Sequence, residues 1–470
     1  MTKYLYLFIT LIFLTACEST VTSSSSGGDE NLINDVTIEE IPDEDNEEII
    51  DNSNELTNDE YIDSIPNDTI KNTDIAQVPH KKSSIPMLGI LISYNNIHIS
   101  SSASTWSAKL FGKSEHQLNH YYAEVSNSKF EFEKAIENNG IVNDGIVSVQ
   151  LNKNHPDTDI DRYKFDLLTH PDLRDALADV NNEIDFSNYD NDANGHITPN
   201  ELLLTFIIAG YEDSYEGWHV INGVWGHQSC TYDEYTPTLD GVTLMGCRDD
   251  GNFALFGEKH NVENPYDATI GIIAHELGHS AFSLPDLYNT SGYEGGIGSF
   301  GLMGAGVWTR QDHREGHGNT PTHFSAWSKV YMGWVTPIEE SGSTSLTETT
   351  SNDYNIIKIP ISANHYYLLE NRNNNGYDKG LYSLDGTFDG GVAVWHINDE
   401  KLTVDNFWEN NVNNDVDNKG VDLVEAEDTY IDEMSDGGEK ALFYSPHITS
   451  FGTKVTNIST RGSVMNLNIN

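Results

Sequence analysis

The chain has 470 residues, more than one hydrophobic core usually holds, so its length predicts two or three structural units. It carries 74 acidic against 25 basic residues, which gives a formal net charge of −49. This charge argues against nucleic acid as a partner, because such binding depends mostly on neutralising phosphates with basic residues. It is instead typical of a protein that stays soluble, or binds cations, outside the cell.

The N-terminus has the pattern of a bacterial export signal. Lys3 precedes an apolar run over residues 4–14, and L-T-A-C at residues 14–17 resembles a lipobox, in which the chain is cut before the cysteine. The run is short for a membrane span, and an uncleaved anchor helix is the alternative. We expect residues 1–16 to be a signal peptide and Cys17 to be lipidated. The protein would then face outward from the cell envelope, or be released after cleavage.

Residues 17–84 have the composition of an acidic, disordered tether. From Glu18 to Ser84 there are 18 acidic and 3 basic residues, so self-repulsion predicts an extended chain. A pro-segment that is removed by cleavage is the alternative. The sequence P-H-K-K at residues 79–82 is a candidate processing site for it.

Globular sequence begins near residue 85, where apolar runs and periodic segments alternate. Apolar and β-branched runs predict strands, and helical spacing of apolar residues predicts helices. The strands are predicted at 88–94, 129–133 and 202–210, and the helices at 114–126 and 159–180, the second broken by Pro171. Strands that precede and accompany helices in this way predict an α+β domain.

The segment Asp190–Glu201 matches the calcium loop of EF-hands. Asp190, Asp192 and Asn194 provide side-chain oxygens at alternate positions, Gly195 allows the turn, and Glu201 closes the loop. We include His196 among the candidate calcium ligands. A β-rich run follows the loop, so a regulatory pair of EF-hands is not expected, and a turn without metal is the alternative. A second Asn/Asp-rich stretch, residues 405–418, is predicted to be a solvated loop.

Residues 269–288 read T-I-G-I-I-A-H-E-L-G-H-S-A-F-S-L-P-D-L-Y and contain H-E-x-x-H within an apolar run. On a helix, His275 and His279 lie one turn apart on one face, so both imidazoles can reach one tetrahedral Zn²⁺. Zinc lowers the pKa of a bound water to about 7, and Glu276 can accept its proton as general base. Core histidines with ordinary polar partners are the alternative, since buried polar groups need partners or a metal.

Further motifs follow in order: F-G-L-M-G-A-G-V-W at 300–308, A-W-S-K at 326–329 and G-W at 333–334. With the H-E-L-G-H and L-P-D-L-Y motifs, they resemble the immune inhibitor A family of bacterial secreted metallopeptidases over about residues 85–470. The resemblance implies a zincin-type catalytic domain at 85–334 that hydrolyses protein or peptide substrates. It also implies His275 and His279 as zinc ligands, Glu276 as general base and Met303 in a hydrophobic turn beneath the metal.

The resemblance implies Asp286 as the third zinc ligand. Relatives show H-E-x-G-H-x-x-G-L-P-D, whereas here one more residue, and no glycine, separates His279 from Asp286. Because Pro285 disfavours further helix, the chain can turn back and return the carboxylate to the metal. Glu294, His313 and His317 are the competing candidates.

From residue 335 onward, alternating apolar and polar residues predict a β-rich, sandwich-like domain over 335–470. Elsewhere, with Cys17 taken by lipid, Cys230 and Cys247 remain as an even pair in an exported chain. We expect them to form a disulfide, and two buried thiols are the alternative.

The sequence thus predicts a zinc-dependent endopeptidase with catalytic Zn²⁺ and structural Ca²⁺, which contacts a membrane only through its N-terminal lipid. A non-enzymatic, calcium-binding surface adhesin with a structural or degenerate zinc site is the rival class. Glu276 argues against that rival, because structural zinc needs no base and usually takes four protein ligands. A peptidase restricted to short peptides is the second rival.

Overall fold

The structure is a computed structural model that describes residues 74–77, 82–157, 165–216, 220–291, 296–383, 386–427 and 439–470. The signal peptide, Cys17, Glu294, most of the tether and the start of the helix predicted from residue 159 lie outside the described residues. Their predictions therefore stay predictions. Among the described helices, none combines the length and the apolar character that crossing a membrane requires.

Short strands and helices alternate in the first part of the described chain. The strands are β1 (Ser84–Ser93), β2 (Glu131–Lys134), β3 (Ile146–Gln150), β4 (His196–Ile197), β5 (Leu203–Glu212), β6 (Gly223–Val224), β7 (His227–Ser229), β8 (Thr238–Leu239), β9 (Val242–Leu244), β10 (Phe253–His260) and β11 (Tyr266–Asp267). The helices are α1 (Ala103–Phe111), α2 (Leu118–Val125), α3 (Phe165–Val180), α4 (Asp213–Glu216), α5 (Ile270–Phe282) and α6 (Ala326–Tyr331).

The central sheet is mostly parallel. β5 pairs in parallel with β1 on one side and with β10 on the other, and β1 pairs in parallel with β2 and β3. β7 and β11 run antiparallel to β10. Both long strands, β1 and β5, are buried along almost their whole length, as the strands of covered parallel sheets are.

Helices cover both faces of this sheet. Alternate residues of β1, such as Leu91 and Ile90, contribute to two different hydrophobic clusters. The first cluster includes side chains of α1, α2 and α5, and the second includes side chains of α3. The fold is therefore a mixture of α-helices and β-strands, as expected in outline.

Pro171 does not break its helix, contrary to the prediction. It lies inside α3, which runs from Phe165 to Val180. A proline inside a helix costs about 3 kcal/mol, since it removes one backbone hydrogen bond. Burial of Leu173, Leu177 and Val180 against the sheet offsets this cost, at roughly 1.5–3 kcal/mol for each side chain.

The remaining chain forms two antiparallel sheets. Its elements are β12 (Gly342–Thr347), β13 (Ile357–Pro360), β14 (His365–Arg372), β15 (Gly391–Asn398), α7 (Val404–Trp408), β16 (Val421–Val424), β17 (Val455–Thr456) and β18 (Val464–Ile469). One sheet has the order β13-β14-β15-β16 and the other β12-β18-β17. Apolar residues of both, such as Leu369 and Leu467, share one cluster, which gives the region its sandwich-like character.

This β-rich region also shares a core with the central sheet's helices. Leu368 and Trp395 belong to the same cluster as Ala281 of α5 and Trp334. A fully buried ion pair also joins the two regions: Lys329 Nζ of α6 lies 3.3 Å from Glu370 Oε2 of β14. The division predicted between residues 334 and 335 therefore runs through a continuous core, and as a domain boundary it stays a prediction.

Candidate functional site

Helix α5 carries the H-E-x-x-H motif. Every residue of this helix except His279 is buried, which fits its apolar sequence. The helix ends where Ser283 adopts a left-handed conformation with φ 54°, and the Ser283 N–H donates to the carbonyls of Gly278 and His279. The chain can then fold back over the last turn instead of continuing outward.

Three candidate ligand atoms converge beside this helix. His275 Nε2 lies 3.1 Å from Asp286 Oδ1, His279 Nε2 lies 3.2 Å from the same oxygen, and the two Nε2 atoms are 3.2 Å apart. Ligands bound to tetrahedral zinc at 2.0–2.1 Å would be roughly 3.3 Å from one another. The triangle therefore has the size of one face of a tetrahedral zinc site.

Backbone carbonyls fix the orientation of both imidazoles. His275 Nδ1 lies 3.0 Å from the Leu302 carbonyl, and His279 Nδ1 lies 2.5 Å from the Leu284 carbonyl. A carbonyl only accepts, so each Nδ1 carries a hydrogen, and in the neutral ring each Nε2 is left with a lone pair facing the centre. Two lone pairs and a carboxylate oxygen that point at one spot form a donor set for a cation.

Met303 lies directly under the helix. It is buried, and a Cβ added at Gly278 would come within 2.8 Å of Met303 Sδ. Gly278 lies between His275 and His279 on α5, so Met303 packs against the turn that carries both histidines. The glycine is needed here for close approach rather than for backbone freedom.

Glu276 is buried next to the three ligand atoms. Burial raises the pKa of Glu276 to about 8, and the carboxylates of Asp286 and Glu212 add to the shift, whereas His275 opposes it. A hydrogen bond from the backbone of Gln228, in β7, also favours the ionised form. A cation at the ligand triangle would bring this raised pKa down, because opposite charge nearby stabilises the carboxylate.

The competing ligand candidates lie elsewhere. The His313 side chain is 88% exposed and pairs with Asp312. His317 has an aromatic contact with Tyr215. Among the described residues, the group able to hold a metal at α5 consists of His275, His279 and Asp286.

A second acidic group forms at the predicted calcium loop. Ligand atoms of Asp190, Asp192 and Glu201 lie within 4.8 Å of one another. Asn194 turns its side-chain amide to Asp192 and accepts from the N–H of His196. The ring of His196 points instead to Asp249, at 3.2 Å, so only its backbone carbonyl remains a candidate ligand.

The predicted calcium loop is connected to a disulfide through a short sheet. β4, inside the loop, pairs in parallel with β9 of the hairpin β8–β9. Cys230 and Cys247, which flank this hairpin, are joined by a disulfide with Cα atoms 5.0 Å apart. Cys230 directly follows β7, so the loop, the hairpin and the strand beside Glu276 form one connected unit.

Calcium is expected to stabilise the protein. For the 10⁻⁴ to 10⁻³ M affinity of extracellular modules, ~10 mM Ca²⁺ adds roughly 1.4–2.7 kcal/mol by mass action. Free energies of unfolding, derived from melting curves in calcium and in a calcium-selective chelator, should differ by this amount. The double variant Asp190→Ala, Asp192→Ala should have the same Tm in calcium and in the chelator. If the parent protein also has the same Tm in the two solutions, the loop is a turn that binds no metal.

The Asn/Asp-rich stretch predicted as a solvated loop is instead packed against the segment that follows α5. Asn413 Nδ2 donates to the Leu287 carbonyl at 2.9 Å, and the Thr290 N–H donates to Asn414 Oδ1 at 2.7 Å. Composition alone missed these contacts, because amide side chains that satisfy buried backbone look the same in sequence as amides that face water. The run of asparagines was the one feature of the sequence that could have indicated these contacts.

Comparison with known proteins gives a family for this arrangement. The family model described as "Immune inhibitor A peptidase M6, catalytic domain" matches residues 94–335, about half of the chain and all of the α5 site. The pre-pro-metalloprotease PrtV of two Vibrio cholerae serotype O1 strains is 26% identical over 170 residues. That match covers 35% of this chain and only 17% of PrtV.

Two solved structures are distantly similar. Wild-type OgpA from Akkermansia muciniphila is 13% identical, with 64% of this chain and 75% of OgpA covered and a TM-score of 0.24. Catalytically inactive OgpA in complex with an O-glycopeptide, glycodrosocin, is 12% identical, with 63% and 73% covered and a TM-score of 0.26. These similarities are too low to support an argument about fold or ligand.

Proposed function

The chain belongs to the immune inhibitor A peptidases of family M6, which makes it a metallopeptidase, and from this premise we propose that it is a zinc-dependent endopeptidase. One observation carries the proposal: His275 Nε2, His279 Nε2 and Asp286 Oδ1 converge within 3.1–3.2 Å of one another. Two imidazoles and one carboxylate are a donor set that zinc favours. Three protein ligands leave a fourth position open, as catalytic zinc sites do.

Bound zinc supplies a Lewis acid for the peptide carbonyl and lowers the pKa of a water to about 7. Glu276 would accept a proton from the attacking water, a role supported by the burial of its carboxylate beside the ligand triangle. The same carboxyl group can then deliver the proton to the leaving amine nitrogen as the C–N bond breaks. Such general acid–base action typically contributes 10²–10⁴-fold to the rate.

Strand β7 offers a place for the substrate backbone. It pairs antiparallel with β10 along one edge, and among the described strands it has no second partner. An extended peptide can add to such an edge through backbone hydrogen bonds. Because Gln228 of this strand contacts Glu276, a peptide bound there would have its bonds close to the proposed base.

The rival reading as a calcium-binding adhesin is not favoured. A structural zinc usually has four protein ligands, whereas three candidate ligands meet at α5 in the described part of the chain. A buried glutamate beside them also has no role in a purely structural site. We propose Ca²⁺ at the Asp190–Glu201 loop as a structural ion of the enzyme, supported by the convergence of its three carboxylates.

The proposal is tested by measuring zinc content and casein cleavage together. The parent protein should contain about one zinc and cleave casein, and a chelator should stop cleavage. Asp286→Ala should lose zinc and activity together, because one of three ligands is gone. His313→Ala is the matched control and should keep both, since that side chain is exposed.

Two outcomes would contradict the proposal. Undiminished casein cleavage in the chelator would remove the metal from the mechanism. Full zinc occupancy in Asp286→Ala would mean that the third ligand lies elsewhere. Cleavage of short peptides but never of casein would instead favour the narrower peptidase.

A further inference from the structure

We propose that Asn410 is a positioning residue for Asp286, so that the β-rich region completes the metal centre of the peptidase. The inference rests on the proposed function, because it concerns the third ligand of that site. Asn410 lies 124 residues beyond Asp286 in the chain, outside the segment that the family model matches.

Two hydrogen bonds join the residues. Asn410 Nδ2 donates to Asp286 Oδ2 at 2.7 Å, and Asn410 Oδ1 accepts from the backbone N–H of Asp286 at 2.8 Å. The second bond fixes which end of the amide faces the carboxylate, because a backbone N–H can only donate. One side chain therefore holds both the backbone and the carboxylate of the proposed ligand.

The contact decides which carboxylate oxygen faces the metal site. With Oδ2 engaged by Asn410, Oδ1 is left 3.1 Å from His275 Nε2 and 3.2 Å from His279 Nε2. A free carboxylate could rotate and exchange its oxygens. The hydrogen bond to Oδ2 removes that freedom before a metal binds, which reduces the ordering cost of binding.

The residues next to Asp286 in the chain supply only part of the ordering of its carboxylate. Helix α5 ends at Phe282, and Asp286 lies in a segment that belongs to no helix or strand. The two histidines are fixed by their helix and by carbonyls of Leu302 and Leu284. Asp286 has no equivalent element of its own. Within its segment the Tyr288 side chain hydrogen-bonds the carboxylate, and the segment packed beside it adds two bonds from Asn410, one to the carboxylate and one to the backbone N–H.

That segment is itself held in place. Asn413 and Asn414 bind the backbone of Leu287 and Thr290, and the Thr290 hydroxyl donates to the Asn410 carbonyl at 3.0 Å. Asn410 adopts φ 49°, in the left-handed region that asparagine tolerates better than most residues. A substitution that tests its amide should therefore be glycine, which keeps this backbone conformation without strain.

The experiment compares the parent with Asn410→Gly, Asn410→Asp and the control Asn414→Ala. Asn414 belongs to the same docked segment but bonds to Thr290 rather than to Asp286. For each protein, the zinc Kd is measured by competition with a chromophoric chelator. The kcat and KM are measured on a fluorogenic peptide at saturating zinc, and the Tm is measured on the zinc-free protein.

Asn410→Gly is expected to weaken zinc binding about 10–100-fold, the usual effect of losing a residue that orients a metal ligand. Its kcat should fall with little change in KM. Asn410→Asp should weaken zinc at least as much, since it replaces the donor to Asp286 Oδ2 with a like charge. Asn414→Ala should stay within a few-fold of the parent zinc Kd, and its zinc-free Tm should be close to that of Asn410→Gly.

If Asn410→Gly has the zinc Kd of the parent, the inference is wrong. It is also wrong if Asn414→Ala weakens zinc binding equally, because zinc binding would then depend on the packing of the whole segment and not on Asn410. Either result leaves the proposed function intact if the parent binds zinc and cleaves peptides. A parent that binds no zinc would overturn the proposed function and the inference with it.

Discussion

Glu276→Gln is expected to lower peptide hydrolysis by about 10²–10⁴-fold while the protein keeps its zinc. Glutamine has the shape of glutamate but cannot accept a proton at neutral pH, so the change removes the base and leaves His275, His279 and Asp286 in place. In the zinc-free protein, burial already disfavours the ionised glutamate, as its raised pKa indicates. A neutral amide at this position should therefore not lower the Tm.

The measurements are kcat/KM on a fluorogenic peptide, zinc per chain by atomic absorption, and the Tm with and without zinc. Glu263→Gln makes the same chemical change at an exposed position and should behave as the parent. Casein cleavage by Glu276→Gln within tenfold of the parent would rule out this residue as the base. Loss of zinc in the variant would mean that Glu276 contributes to metal binding, which the three-ligand site does not require.

Glu370→Ala is expected to reduce the free energy of unfolding by about 3–5 kcal/mol. Glu370 is fully buried, lies 3.3 Å from Lys329 Nζ, and accepts from Trp395 Nε1 at 3.0 Å. Its loss leaves Lys329 buried without its carboxylate, and burial already lowers the pKa of that lysine. The lysine must then lose its proton or draw water into the core.

Urea unfolding at neutral pH measures this loss. Glu131→Ala is the control, because Glu131 pairs with Lys113 at the surface, where side chains 43% and 69% exposed make such a pair worth about 0–1 kcal/mol. Similar losses in the two variants would mean that the buried charges do not hold the β-rich region to α6. A large loss in Glu370→Ala alone would mean that the buried charges stabilise the contact between the β-rich region and α6.

The parts of this protein that sequence predicts are those that depend on near neighbours. His275, Glu276 and His279 lie within five consecutive residues of one helix, so their spacing alone brings two imidazoles to one point. Strands β1 and β5 were visible as apolar runs, because burial on both faces removes polar residues from them. The parallel pairing of these strands was not visible in the sequence, since strand direction depends on the connections between strands rather than on composition.

The features that sequence missed depend on contacts between distant segments. Pro171 reads as a helix break, yet the packing of α3 against the sheet outweighs the lost hydrogen bond. Asn410 reads as one of many loop asparagines, and its bond to Asp286 spans 124 residues. No local pattern distinguishes an amide that serves a ligand from an amide that faces solvent.

The contact between Asp286 and the segment of Asn410 also sets an order of events during synthesis. Ribosomes make the chain from its N-terminus, so Asp286 leaves the ribosome more than a hundred residues before Asn410, its hydrogen-bond partner. A nascent chain that ends before Asn410 has every proposed zinc ligand but lacks the residue that we propose positions the third, as well as β16–β18. On this proposal the metal centre would be completed late, and a truncated product of translation would carry the H-E-x-x-H motif without the contact that positions Asp286.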